Sequence, residues 1–116
     1  MDKFNILLNK IKITPELYLG EPSLKLLSAF IGGYVFCEQN ENKKIEEDSF
    51  YGFNEFITKK YGIVNTTHYW SSIIRFFSSS DRDAFYQFYK DYEEFSKLSR
   101  KEKQDIIKKV EEARFI

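Results

Sequence analysis

The chain is poor in the side chains on which small cross-linked or reactive proteins depend. It has one cysteine, one histidine and two prolines, and its 18 basic and 18 acidic groups cancel within 116 residues. One cysteine excludes a disulfide within the chain, and one cysteine with one histidine cannot build a cysteine-rich zinc site. Zero net charge removes the broad basic footprint of a nucleic-acid-binding domain. No stretch approaches the roughly 20 apolar residues that span a bilayer. The opening Met1-Asp2-Lys3-Phe4-Asn5 is not a basic region followed by an apolar one, so no signal peptide is expected. These absences predict a small cytoplasmic domain without metal, cofactor, membrane segment or nucleic-acid partner. The length fits one domain over residues 1–116.

What the chain does have is aromatic: twelve Phe, eight Tyr and one Trp make 18% of it. Most of these rings fall at helical spacing. Phe4, Leu7, Leu8 and Ile11 behind Asp2 predict a first amphipathic helix over residues 2–12. Thr14-Pro15 interrupts it, Gly20 with Glu21-Pro22 marks a bend, and Ser23 caps a second helix carrying Leu24, Leu27, Phe30, Ile31 and Tyr34. The Gly32-Gly33 pair inside that helix points to close packing of another backbone. Residues 38–48 are polar and read as a loop. Asp48 or Ser49 opens a third helix with Phe50, Phe53, Phe56 and Ile57, which Gly62 closes after two lysines. Thr66 or Thr67 caps a fourth, bearing Trp70, Ile73, Ile74 and Phe77. Ser80 starts a fifth, in which Phe85, Phe88, Tyr92 and Phe95 form a seam. Ser99-Arg100-Lys101-Glu102 is a capping box for the last helix, with Ile106, Ile107, Val110 and Ala113. Strand signals are weak. The fold class that follows is all-α, a single domain of five or six packed helices.

Reactive chemistry has few candidates. His68 is the one side chain that titrates near neutrality, but no serine, cysteine or acid stands at a catalytic spacing from it. Cys37 follows Tyr34-Val35-Phe36 and precedes Glu38, a setting that raises a thiol pKa, so it reads as a buried or half-buried structural cysteine. Carboxylates are numerous but match no calcium-loop or HExxH pattern. Their distribution is uneven: residues 38–55 carry six acids against two lysines, and residues 97–114 carry seven bases against four acids. An acidic side suits a basic partner. Three tyrosines fall off the core stripes beside acids: Tyr51, Tyr86 and Tyr89. Tyrosine is favoured at interfaces because it gives contact area and a hydrogen bond with little entropy loss. The candidate partner-binding residues are therefore Glu46, Glu47, Asp48, Tyr51, Tyr86, Tyr89, Glu93 and Glu94.

Residues 11–34 run Ile-Lys-Ile-Thr-Pro-Glu-Leu-Tyr-Leu-Gly-Glu-Pro-Ser-Leu-Lys-Leu-Leu-Ser-Ala-Phe-Ile-Gly-Gly-Tyr. Phe53 to Tyr61, Trp70-Ser71-Ser72-Ile73-Ile74 and Ala84-Phe85-Tyr86-Gln87-Phe88 follow. This series resembles a group of small bacterial proteins with an opening of the form I..RP.MYLG..SL..L..FI.GY, then F..F....Y, W..II and AF..F segments. Several members look like immunity proteins paired with secreted or contact-delivered toxins, as in contact-dependent growth inhibition. The resemblance spans about residues 4–95. Thr14 and Glu16 stand where the pattern has arginine and a glycine-type residue, so no role of that arginine carries over.

The resemblance implies a non-enzymatic immunity protein whose partner is a cognate toxin domain, neutralised by occlusion of its active site; a small-molecule ligand is not expected. Two other classes remain open: a helical adaptor or regulatory protein-binding module, and a small hydrolase using His68.

Overall fold

Seven α-helices follow one another in the computed structural model, which describes residues 3–41, 50–63 and 69–114. They are α1 (Lys3–Ile13), α2 (Pro15–Leu19), α3 (Leu24–Gln39), α4 (Phe53–Lys60), α5 (Trp70–Phe76), α6 (Asp81–Ser96) and α7 (Arg100–Arg114). No strand occurs among the described residues. The all-α expectation holds, and the helix beyond the expected five or six is α2. Thr14-Pro15 does not simply interrupt α1. The Thr14 N–H still donates to the Lys10 carbonyl at 3.0 Å, completing α1, and Pro15 then opens α2, where its missing N–H and fixed φ are suited to a first turn. Gly20, at φ +88°, ends α2.

Serine caps account for the starts of the three longest helices. Ser23 Oγ accepts from the Leu26 N–H at 3.2 Å, and Ser80 Oγ from the Asp83 N–H at 3.0 Å. Ser99 and Glu102 exchange hydrogen bonds at 3.0 and 3.1 Å in the expected capping box. Those bonds hold the Glu102 carboxyl below its ordinary pKa. Helix α4 departs from expectation by starting at Phe53, directly after Gly52 at φ +90°. A side chain at Gly52 would also come within 3.0 Å of the end of the Ile107 side chain of α7, but it is the positive φ that calls for glycine at this turn. The expected caps Asp2, Asp48, Ser49, Thr66 and Thr67 lie outside the described residues, and Tyr69 precedes α5 without a side-chain cap.

One aromatic cluster binds the helices. The Phe53 ring is fully buried, 5.4 Å from Trp70 of α5 and 5.6, 5.8 and 5.3 Å from Phe88, Tyr92 and Phe95 of α6. All four contacts are edge-on, where ring faces and edges attract electrostatically. The predicted seam Phe85–Phe88–Tyr92–Phe95 is buried throughout. Helix α3 packs on α6 and α5, while α4 is held between α5 and α7. Lys103 of α7 lies over the Phe95 ring at 4.3 Å, with its stem covering the end of the cluster.

Three expectations about single residues are corrected. Cys37 is exposed on the outer side of α3, because Tyr34 and Val35 turn toward the rest of the molecule while positions 36 and 37 turn away. Phe77, expected on the α5 stripe, lies at the helix end and is largely exposed, stacked on Tyr61 at 5.2 Å. Gly32 and Gly33 are neither a helix end nor a close contact among the described residues: α3 runs through both, and a methyl group on either would meet none of their atoms within 4 Å. Each glycine costs the helix about 1 kcal/mol relative to alanine. No packing among the described residues requires them.

Candidate functional site

Helices α3 and α5 diverge above the aromatic core and leave a cleft of about 730 Å³ that reaches the start of α6. Lys25 and Ser28 line it from α3, Ser71, Ser72, Arg75 and Phe76 from α5, and Asp81 from α6. Asp81, the only acid of the lining, is committed to the fold. Its carboxylate accepts the Ser23 hydroxyl and, at 3.0 Å, the backbone N–H of Lys25. It therefore serves as an anion at the N-terminus of α3, where the free N–H groups favour negative charge. Arg75 donates only to the Ser78 carbonyl, at 3.3 Å. Neither Arg75 nor Lys25 makes an ion pair among the described residues. The cleft thus combines two cations that no described carboxylate pairs with, three serine hydroxyls and apolar walls.

A second groove of about 250 Å³ continues from Ser28 along α3, with Gly32 and Val35 on one side and Tyr69 and Trp70 on the other. Phe76 at 79% exposure and Tyr69 at 62% stand at opposite ends of the combined channel. A domain whose core is closed by buried rings does not need these two for stability. Exposed aromatic groups beside polar groups are the composition of an interface core before its partner arrives.

The residues expected from sequence are dispersed. Glu46, Glu47, Asp48 and His68 lie outside the described residues. Tyr51 is half-buried in the turn before α4, and Tyr86 is exposed on α6 two turns from exposed Glu93. Tyr89 is corrected from surface to core: it is 7% exposed, and its hydroxyl donates to the Leu8 carbonyl of α1 at 2.8 Å. Helix α6 is buried on two adjoining flanks, so its apolar arc is wider than the seam and includes position 89. Burial raises the pKa of that phenol. The acids of α6 do not form an unopposed patch, because Glu93 pairs with Lys97 at 3.5 Å and Glu94 with Lys60 at 2.8 Å.

Asp91, in the same run of acids as Glu93 and Glu94, is completely buried. Its Oδ1 accepts Lys60 Nζ at 2.6 Å and Gln87 Nε2 at 2.9 Å, while Oδ2 accepts the Tyr61 hydroxyl at 2.7 Å. This network joins the end of α4 to the middle of α6. Partial burial opposes the Lys60 charge, but hydrogen bonds and attraction from Asp91 and Glu94 outweigh it and raise the pKa. Burial first, then the Asp91 bond, raises that of Tyr61.

Lys60, Tyr61 and Tyr89 hold their protons more tightly folded than unfolded. Their contribution to stability is therefore complete below the ordinary values of 10.5 for lysine and 10.0 for tyrosine. It is lost as pH rises through the folded values. Thermal unfolding followed from about pH 8 to about pH 12 should show midpoints that fall above about pH 10. Tyr61→Phe should make that fall shallower; an equally steep fall in the variant would remove Tyr61 as a source.

The site has no precedent to borrow from. No family model matches the chain, and no curated protein and no solved structure matches it. The reading of the cleft rests on its own residues. Among the described residues no group of three histidine, cysteine or acidic side chains could hold a metal ion, and no helix is long and apolar enough to cross a membrane.

Proposed function

We propose that the chain is a non-catalytic protein-binding domain of the immunity type, which captures a toxin domain and covers that domain's active site. The observation that carries this reading is the α3–α5 channel, with Phe76 and Tyr69 exposed at its ends and Lys25 and Arg75 without an ion pair among the described residues. The rings supply desolvated contact area, and the cations and serine hydroxyls set partner orientation and association rate. Occlusion asks nothing of the partner's chemistry beyond an accessible surface around its active site. The expected role of an acidic, tyrosine-bearing face is transferred to this channel, because Glu93 and Glu94 are opposed by lysines and Tyr89 is in the core.

The test is capture and rescue with the toxin domain encoded beside this gene. Co-expression should protect cells, and the purified chains should bind. Phe76→Ala should weaken binding about tenfold or more while leaving the unfolding temperature unchanged, since Phe76 is 79% exposed. Failure to bind or protect overturns the reading; full binding by Phe76→Ala moves the interface off the channel.

A further inference from the structure

Charge gives the α3–α5 channel a direction. Its larger end holds Lys25 and Arg75, neither of which makes an ion pair among the described residues. The acid beside them, Asp81, already has both carboxylate oxygens engaged, by the Ser23 hydroxyl and the Lys25 backbone N–H. None of the described residues that line the smaller groove is charged. The wall that α3 gives to both parts also has a period. Lys25, Ser28, Gly32, Val35 and Gln39 line it in succession, at spacings of 3, 4, 3 and 4, and each is exposed or half-buried. That alternation is the seam along which one helix receives another. Gly32, in the middle of the seam, presents only backbone, and a Cβ there would meet no described atom within 4 Å. It is a hole in the wall, where a side chain from outside can enter deepest.

We propose that the channel takes one α-helix of the partner protein, laid along α3, with carboxylates at one end and a large apolar side chain about two turns away. This rests on the protein-binding reading above and adds the kind of segment that enters. Charge complementarity places the carboxylates, because Asp or Glu beside Lys25 and Arg75 meets two cations whose charge the fold leaves unpaired among the described residues. The hole places the apolar group, over Gly32 and between Val35 and Trp70. Gly32 follows Lys25 by seven residues, so the two features stand roughly 10 Å apart along α3. The whole seam from Lys25 to Gln39 runs about 21 Å, the length of a four-turn helix. An extended segment, whose side chains repeat every second residue, would not match spacings of 3 and 4. One helix in a groove buries less area than a full interface, so an isolated peptide should bind with a dissociation constant of roughly 10–100 μM.

The test uses the full chain and a displayed library of random peptides about 16 residues long, with no toxin present. Selection on the wild-type protein should enrich sequences with Asp or Glu at one end and Leu, Ile or Phe about two turns away. A synthetic peptide of the enriched sequence should gain helical circular dichroism on binding. In calorimetric titration its dissociation constant should rise about tenfold or more in the double variant Lys25→Glu, Arg75→Glu. It should rise as much in Gly32→Leu, whose side chain fills the groove. Gly32→Leu should keep the wild-type unfolding midpoint or exceed it, because the space is open and leucine is the better helix former. Lys101→Glu, on α7, should bind as wild type does. No enrichment, enrichment of neutral or basic sequences, or undiminished binding by either channel variant overturns the proposal. So does a sedimentation mass above 13.9 kDa that Gly32→Leu restores to that value, since the occupant would then be a second copy of the chain. The two readings fail separately. A toxin held as tightly by the Lys25→Glu, Arg75→Glu variant as by wild type overturns the acidic helix and leaves the immunity reading standing. Acidic helices that bind the channel of a chain that rescues no cell do the reverse.

Discussion

Asp91→Ala is expected to lower the thermal unfolding midpoint by roughly 10–20 °C, the equivalent of about 3 kcal/mol for a domain of this size. The carboxylate is completely buried and accepts three hydrogen bonds, from Lys60, Gln87 and Tyr61. Alanine would leave the Tyr61 hydroxyl and the Gln87 amide without their acceptor and deprive the Lys60 ammonium of its nearer counter-charge. The loss falls at the lower end of the range for a broken buried pair, because Lys60 is partly exposed and keeps Glu94 at 2.8 Å. Asp91→Asn, which keeps shape and one acceptor, should lie between the two. Differential scanning calorimetry checks the series. A midpoint within about 2 °C of wild type for Asp91→Ala would show that water replaces the carboxylate and that the network does not tie α4 to α6.

Phe53→Ala should be more damaging, costing about 3–5 kcal/mol. The ring touches Trp70, Phe88, Tyr92 and Phe95, so its removal opens a void bordered by three helices. Its neighbours are themselves large rings held by one another, and they cannot collapse into the space without losing their edge-on contacts. Against a total stability of about 5–15 kcal/mol for domains of this kind, the variant should lose between about a fifth and all of it. Urea titration should show a midpoint far below wild type with an unchanged slope if the variant still folds. The consequence reaches the channel, because Trp70 carries the start of α5 and lines the smaller groove. Loss of partner capture in Phe53→Ala is then loss of the fold, unlike the loss expected from Phe76→Ala, whose ring is largely in solvent. A Phe53→Ala midpoint near wild type would contradict the central place of this ring.

Much of the fold was legible because helices announce themselves locally. The serine caps at 23, 80 and 99 and the glycine at 62 mark the helix ends they were expected to mark. The seam from Phe85 to Phe95 is the buried face of α6. Local signals failed where a distant element decided the outcome. Tyr89 and Asp91 flank that seam on either side and look alike from sequence, as polar groups one step off an apolar stripe. One is buried because α1 offers a carbonyl and the other because α4 offers a lysine and a tyrosine. The candidate site was less legible still. Phe76 was not singled out, although it stands off the Trp70–Ile73–Ile74 stripe, the same signal that singled out Tyr86. No spacing pairs α3 with α5, nor Ser23 with Asp81 58 positions away.

The sequence by itself therefore determined an all-helical chain, its caps and bends, and most of its aromatic core, because periodicity and capping act within a few residues of each other. Tertiary structure alone decided which charges are opposed, which tyrosines face solvent, and that no described residue packs on the small pair Gly32-Gly33. Those outcomes depend on what a neighbouring helix presents across a gap, and no local pattern encodes the neighbour. The fold added a channel between α3 and α5, around which Phe76 and Tyr69 stand in solvent.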